Sequence, residues 1–283
     1  MHTTAVLVPC YNEEATIAQV VRDFRAALPE AAVYVYDNNS TDRTADAARA
    51  AGAVVRAEPL QGKGHVVRRM FADVDADVYV MVDGDSTCDA ACAPAMIRKL
   101  VDERLDMVVG TRLGSRDDEQ FRHGHHVGNK AFSWLVSYLF KRRLGDILSG
   151  YRVLSRRFVK SFPALATGFE TETELTIHAM ELCMPIAEVE TPYRPRPEGS
   201  DSKLRTFSDG WRIILAGLTM FKEIRPFKFF FVWFCCFALV ALVLAYPVLL
   251  EYVQTGYVPK FPTWIAATSS IILAFLSLTC AFS

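Results

Sequence analysis

Val78-Tyr79-Val80-Met81-Val82-Asp83-Gly84-Asp85 is the stretch whose reading decides the fold. Its apolar half reads as a buried central strand. The strand runs straight into two aspartates separated by one glycine. In open α/β sheets, ligands bind outside the carboxyl ends of the strands. Hard divalent cations take oxygen ligands, and Mg2+ typically uses one or two carboxylates with substrate phosphates completing the set. Gly84 lets the backbone approach a ligand closely. The plain alternative is an Asp-Gly turn closing a strand. The rest of the chain favours a metal–diphosphate site.

Working outward, strands and helices alternate. Residues 4–9 form an apolar strand, and Tyr11-Asn12-Glu13-Glu14 follows, with Asn12 as a helix cap. Ile17, Val20, Val21, Phe24 and Leu28 line one face of the next helix. Residues 32–36 are a second strand ending at Asp37, and Asn38-Asn39-Ser40-Thr41-Asp42 opens a helix reaching about Ala51. Val54 and Val55 suggest a short strand, and Gly62-Lys63-Gly64 opens a helix over 65–72. Beyond Asp85 come a helix over about 93–104, a strand at 107–109, and Gly110-Thr111-Arg112. This rhythm predicts a doubly wound, mostly parallel α/β sheet. Asp37, Asp83, Asp85 and Arg112 fall where strands end.

Further on, residues 115–124 read as a polar loop and 127–140 as an apolar helix. A helix over 171–183 and a strand over 186–190 close the domain. The proline-rich stretch 192–197 is extended, and 198–203 is a loop. Residues 207–224 fit either an interfacial amphipathic helix or a core-packed one.

The 283 residues carry a net charge of −1, which gives no sign of a nucleic-acid-binding protein. Charge is absent over 229–250 and again over 261–283. Each stretch matches a bilayer-spanning helix of about 20 residues; a buried core helix is the alternative. Arg225 and Lys228 precede the first stretch, so the positive-inside rule predicts a cytoplasmic N-terminal domain. His2-Thr3-Thr4 leads directly into a strand, so no signal peptide is expected. The 7 cysteines show no zinc-site spacing, and reduced thiols are expected.

Six motifs then occur in order: Val8-Pro9-Cys10-Tyr11-Asn12-Glu13-Glu14, Asp37-Asn38-Asn39-Ser40-Thr41-Asp42, Asp83-Gly84-Asp85, Gly110-Thr111-Arg112, Asp146-Ile147-Leu148-Ser149-Gly150-Tyr151-Arg152 and Gly199-Ser200-Asp201-Ser202-Lys203-Leu204. Together they resemble glycosyltransferase family 2 with the GT-A fold. More closely, they are similar to the polyprenyl-phosphate glycosyltransferases, which include dolichol-phosphate mannose synthase and the bacterial GtrB-type enzymes. The resemblance divides the chain into a cytoplasmic GT-A catalytic domain (1–205), a juxtamembrane amphipathic helix (206–226) and a membrane domain (227–283). The last would hold two transmembrane helices, at about 229–250 and 261–283, in an inner or plasma membrane.

The resemblance implies inverting transfer of a hexose from a UDP- or GDP-linked sugar to undecaprenyl or dolichyl phosphate. The product would be a lipid-linked monosaccharide for cell-envelope glycans or protein glycosylation. Pro9, Tyr11, Glu13 and Asp37 would hold the base and ribose, with Gly84 beside the donor. Asp83 and Asp85 would bind the Mg2+ or Mn2+ on the diphosphate. Arg112 would face the acceptor phosphate or the sugar, and Asp146 and Arg152 the reacting centre. Arg196, Ser202 and Lys203 would belong to a loop closing over the diphosphate. Some dolichol-type members carry a metal-binding glutamine where this chain has Thr87. Relatives of the GtrB type form homotetramers, so a homo-oligomer is an expectation here.

The chemistry suits these residue types. Negative charge builds on the leaving diphosphate, and a metal held by Asp83 and Asp85 neutralises it. The attacking lipid phosphate is already anionic near neutral pH, so positioning matters more than a strong base. Arginine grips phosphate in bidentate fashion, which makes Arg112 and Arg152 the candidates. Asp146 is open to orienting the acceptor, taking a residual proton or fixing Arg152; capping a helix or turn is the alternative. Glu172 and Glu174 read as a solvated helix face with a supporting role at most. His123, His125 and His126 lack a nearby fourth metal ligand. Lys63 lacks the full phosphate-loop spacing, and an ordinary turn is the favoured reading.

Two rivals make different demands. A processive family 2 polysaccharide synthase carries Gln-x-x-Arg-Trp, which follows none of Gln19, Gln61, Gln120 or Gln254. Two spans are also few for a translocation channel. A non-catalytic nucleotide-sugar-binding scaffold predicts a broken metal motif, and the motif is intact.

Overall fold

The computed structural model describes residues 2–113, 146–168, 170–192, 194, 215, 218–219, 221–222 and 225–282. The chain divides into two compact units, Met1–Ile214 and Leu215–Ser283.

In the first unit, strands and helices alternate: β1 (Thr4–Cys10), α1 (Ile17–Ala27), β2 (Ala32–Asp37), α2 (Thr44–Ala50), β3 (Val54–Ala57), α3 (Lys63–Asp73) and β4 (Val78–Met81). A single 3-10 turn at Ala90–Cys92 leads into α4 (Ala93–Asp102) and β5 (Met107–Leu113). Then come β6 (Arg152–Ser155), α5 (Arg156–Ser161), α6 (Thr171–Glu181) and β7 (Ile186–Pro192). Among the described residues the strands form one 7-stranded sheet, ordered β3-β2-β1-β4-β6-β5-β7. The pairings β1–β2, β1–β4, β2–β3 and β5–β7 are parallel, and β6 lies antiparallel between β4 and β5. The expected mostly parallel, doubly wound sheet is therefore present, with one reversed strand in its middle.

Alternation along the strands builds two cores. Ala5, Leu7, Tyr79 and Met81 point to a layer containing Val67, Met70, Phe158 and Leu175. Val6, Val8, Val78 and Val80 point to the opposite layer, with Ile17, Val21, Phe24 and Met96. A sheet covered on both faces needs strands that are apolar on both sides, as 78–82 are. Each fully buried Val, Leu or Phe contributes about 1.5–3 kcal/mol.

Two local expectations change. Asn12 does not cap α1. It sits in the left-handed region at φ 52°, and α1 begins at Ile17 after Thr16. Asn tolerates that conformation because its short side chain bonds locally. Helix α6 is buried from Thr171 to Ile177, so Glu172 and Glu174 are not a solvated face.

The second unit is a helical hairpin, α7 (Pro226–Thr255) and α8 (Phe261–Cys280). Helix α7 has 30 residues and α8 has 20, both long and apolar enough to cross a membrane. Buried cores do not account for them: only 6% and 11% of their most apolar stretches are buried within the chain. Small side chains, Ala241, Ala267 and Ala274, are among the buried residues of the two helices, and small residues let helix backbones approach closely. Gly256 ends α7 at φ 72°, and Lys260 pairs with Glu251 at 3.0 Å across the connection. Of the region expected as a juxtamembrane helix, residues 215, 218, 219, 221 and 222 are described and helical, and most of the rest lies outside the described residues.

Candidate active site

The parallel strands β1, β2 and β4 all end on one edge of the sheet. Cys10 and Asp37 are register partners, and β4 continues past Met81 into Val82, whose N–H donates to Leu7 O at 3.1 Å. This edge gathers Tyr11, Asp37, Asp83 and Asp85.

The loop after β1 is fastened to the loop after β2. Asn12 N–H donates to Ser40 Oγ at 2.9 Å, and Asn12 Oδ1 accepts from Thr41 N at 2.7 Å. Glu13 N–H donates to Thr44 Oγ1 at 2.8 Å. The left-handed turn at Asn12 makes this fit possible. Pro9 and Glu13 are buried, and Tyr11 is 37% exposed at the rim. Asp37 Oδ2 accepts from Ser40 N at 3.3 Å, whereas its buried Oδ1 has no hydrogen-bond partner among the described residues. A buried carboxylate oxygen without a donor is costly, and such a group points to a ligand that supplies one.

Asp83 and Asp85 differ in setting. The Asp83 side chain is 35% exposed, and its Oδ1 receives Lys63 Nζ at 2.5 Å. Asp85 is buried, and its Oδ1 accepts from Thr87 N at 3.2 Å and from Thr87 Oγ1 at 2.7 Å. Thr87 thus orients Asp85. At Gly84, the missing Cβ makes room for Cys10 Sγ, and the Gly84 carbonyl accepts from Thr16 Oγ1 at 2.7 Å. The close approach that this glycine permits within the chain is to Cys10 at the end of β1.

The segment Asp146–Arg152 joins the same place. A Cβ on Gly150 would collide with the Asp83 carboxylate. Ser149 Oγ donates to Gly110 O at 2.6 Å, and Tyr151 OH donates to Asp89 O at 3.2 Å. Asp146 is buried, and its N–H lies 3.4 Å from Glu188 Oε1. Arg152 corrects a sequence expectation. It is fully buried on β6. Its Nε donates to Ser149 O, its Nη1 to Thr176 Oγ1 and Met107 Sδ, and its Nη2 to Ile147 O and Glu172 O. All five guanidinium N–H donors are taken, which leaves none for a phosphate. Burial lowers its pKa to about 10, opposed by Glu172, Asp146 and Glu188, so it stays charged near neutral pH. Arg152 holds the 146–152 turn against α6.

Three residues discounted in the sequence belong to the site. Lys63 bridges Asp83 and Glu172, with 12% of its side chain exposed. Its two glycine neighbours explain the placement: a Cβ on Gly62 or Gly64 would strike Thr167 O or Ala166 O. Glu174 fastens that opposing loop by accepting from Leu165 N at 2.7 Å and Ala166 N at 2.9 Å. Burial raises the Glu174 pKa, partly offset by those N–H groups. Burial alone would favour a neutral Lys63, but Asp83 and Glu172 reverse this and raise its pKa. The Gly-Lys-Gly sequence was the available signal.

Arg112 lies on β5 with Thr191 as register partner, and its side chain is outside the described residues. Met81 on β4 and Val109 on β5 both pair with Arg152, so Asp83 and Arg112 come two and three residues beyond the same cross-strand level. Arg196, Ser202, Lys203, the histidines at 123, 125 and 126, and residues 115–124 and 127–140 also lie outside the described residues. Arg194, two residues before Arg196, donates its N–H to Thr87 O at 2.9 Å and pairs with Asp89 at 3.3 Å.

Among the described residues no group of three or more His, Cys, Asp or Glu is placed to hold a metal ion alone. Asp83 and Asp85 supply hard oxygens in the number Mg2+ or Mn2+ uses when phosphates complete the shell, so the donor set fits such an ion.

Residues 5–161 match the family model described as glycosyl transferase family 2. Protein RfbJ of Shigella flexneri is 58% identical over 121 residues, covering 43% of this chain and 94% of that protein. A dolichyl-phosphate hexose transferase of Haloferax volcanii is 31% identical over 73% of this chain and 88% of its own length. Among solved structures, glucosyl-3-phosphoglycerate synthase from Mycobacterium tuberculosis, in complex with Mn2+, UDP and phosphoglyceric acid, superimposes with a TM-score of 0.63. It is 25% identical and covers 77% of this chain and 78% of that one.

Proposed function

The chain belongs to glycosyl transferase family 2, and from that premise we propose that it transfers one hexose from a nucleoside diphosphate sugar to a polyprenyl phosphate. The observation that carries this reading is the orphaned Asp37 Oδ1 on the same sheet edge as Asp83 and Asp85, in a chain that continues into two membrane-length apolar helices. The carboxylates suit a metal-bound nucleoside diphosphate, and the helices suit a lipid acceptor. The name of the Haloferax relative supports the acceptor class, and the Mn2+ and UDP of the mycobacterial structure support the donor class.

Pro9, Tyr11, Glu13 and Asp37 hold the base and ribose in this reading. Asp83 and Asp85 hold Mg2+ or Mn2+, which supplies Lewis-acid neutralisation of the leaving diphosphate. A phosphate oxygen of the lipid attacks the anomeric carbon from the face opposite the diphosphate. The bond from that carbon to the diphosphate oxygen breaks, and its electron pair leaves with the nucleotide, so the centre inverts. Asp146 orients the acceptor, with Arg112 neutralising its phosphate. Arg196, Ser202 and Lys203 act on the diphosphate, and Arg152 keeps the Asp146 turn in place. The catalytic unit faces the cytoplasm, consistent with Arg225 just before α7 and Lys228 in its first turn.

The test is a panel of UDP- and GDP-hexoses offered to the full chain in detergent, with undecaprenyl phosphate and, separately, 3-phosphoglycerate as acceptors. Product mass identifies the acceptor. Hexosyl lipid is expected; a product with phosphoglycerate and none with lipid overturns the acceptor assignment.

A further inference from the structure

Lys63 Nζ meets two carboxylates from different elements: Asp83 after β4, at 2.5 Å, and Glu172 in the first turn of α6. Glu172 is as enclosed as the lysine, with 6% of its side chain exposed. The lysine is not a mobile surface group that happens to reach an acid. Gly62 and Gly64 seat its backbone directly against the carbonyls of Thr167 and Ala166, and Gly64 N–H donates to Thr167 O at 3.1 Å. Gly150 closes the other side of the Asp83 carboxylate. An ammonium is therefore built into the space beside the aspartate that offers itself to a metal.

Two converging carboxylates, Glu172 buried and Asp83 partly exposed, repel each other and favour a cation between them. Here the chain provides one. A divalent ion on Asp83 must displace the ammonium from Oδ1 and then tolerate it nearby. Glu172 gives the displaced ammonium a second partner, and the diphosphate of a donor supplies the negative charge that lets both cations remain.

We propose that Lys63 is a resident cation that occupies Asp83 in the donor-free chain, and that Glu172 sets how readily Asp83 is released to a divalent ion. The site thereby resists metal alone and accepts metal together with the nucleoside diphosphate. Lys63 and Glu172 are positioning residues for Asp83 in this role, which rests on the reading that Asp83 holds the ion.

The test measures Mn2+ binding to the full chain in detergent, without nucleotide, from the loss of the free-ion electron paramagnetic resonance signal. Lys63→Met removes the competing charge and should tighten Mn2+ binding about tenfold. Glu172→Gln leaves the ammonium with Asp83 alone and should weaken binding about threefold or more. Opposite shifts from two neighbouring substitutions are not the signature of general damage, and either variant alone tests the sign. Added UDP should narrow the gap between Lys63→Met and the unaltered chain. Equal Mn2+ affinity in all three chains overturns the proposal. Asp83→Asn separates it from its premise. If Asp83→Asn weakens Mn2+ binding while the other two variants leave it unchanged, the resident-cation role fails and the metal assignment stands. If Asp83→Asn changes nothing, or leaves the Lys63→Met gain intact, both fail.

Discussion

Gly150 lies against the carboxylate of Asp83 with no room for a methyl group between them. This contact joins the turn after the undescribed segment to the aspartate after β4, and it fixes where that carboxylate points. Gly150→Ala should leave the fold intact, because the Asp83 side chain is partly exposed and can swing away. Transfer should fall about 100-fold, since small misplacements at a reacting centre cost that much. Circular dichroism and turnover, measured on the same preparation, check this.

Asp37 gives a prediction of the opposite kind. Its buried Oδ1 has no donor in the nucleotide-free chain. Asp37→Ala removes the orphan oxygen, so Tm should move by no more than about 2 °C. Nucleotide affinity should fall about tenfold or more, read by calorimetry with UDP and GDP. A large Tm loss with unchanged affinity would make Asp37 a purely structural residue.

Arg152 should behave as a structural residue. Arg152→Met removes five hydrogen bonds to buried partners and should cost at least about 3 kcal/mol. Arg152→Lys has three donors for the same partners and should fall between. Urea unfolding provides the stability measurement. A direct phosphate contact would instead raise the KM for polyprenyl phosphate and leave stability unchanged.

Glu174 predicts a pH dependence. Burial raises its folded-state pKa above the ordinary value of 4.5. Between those two values the folded chain holds a proton that the unfolded chain has released. Stability contributed by this group is therefore present below about pH 4.5 and is lost as pH rises through the folded-state pKa. Glu174→Gln cannot ionise, so it should flatten this part of the curve of Tm against pH. A parallel curve would contradict the assignment.

Much of this was legible in the sequence. Strand 78–82 and the aspartates after it could be read because a strand covered on both faces must be apolar throughout. Asp37 was legible because turn residues mark the strand end. Lys63, Glu172 and Glu174 were not. Charged residues at a helix start ordinarily face water, and only the packing of α3 against the 164–168 loop encloses them. Arg152 was misread for a related reason. Its residue type suits phosphate, but its burial follows from β6 inserting antiparallel between β4 and β5, which local periodicity does not encode. Asn12 resembled a cap, yet the loop it anchors is set by partners 28 and 29 residues away.

The most direct measurement is lipid product from the full chain given a nucleotide hexose, Mn2+ and undecaprenyl phosphate, compared with Asp85→Ala. The account predicts a hexosyl lipid by mass, together with nucleoside diphosphate release that requires the lipid. Asp85→Ala should fold and lose both. Nucleotide release that ignores the lipid, or an Asp85→Ala chain that transfers at an unchanged rate, would contradict it.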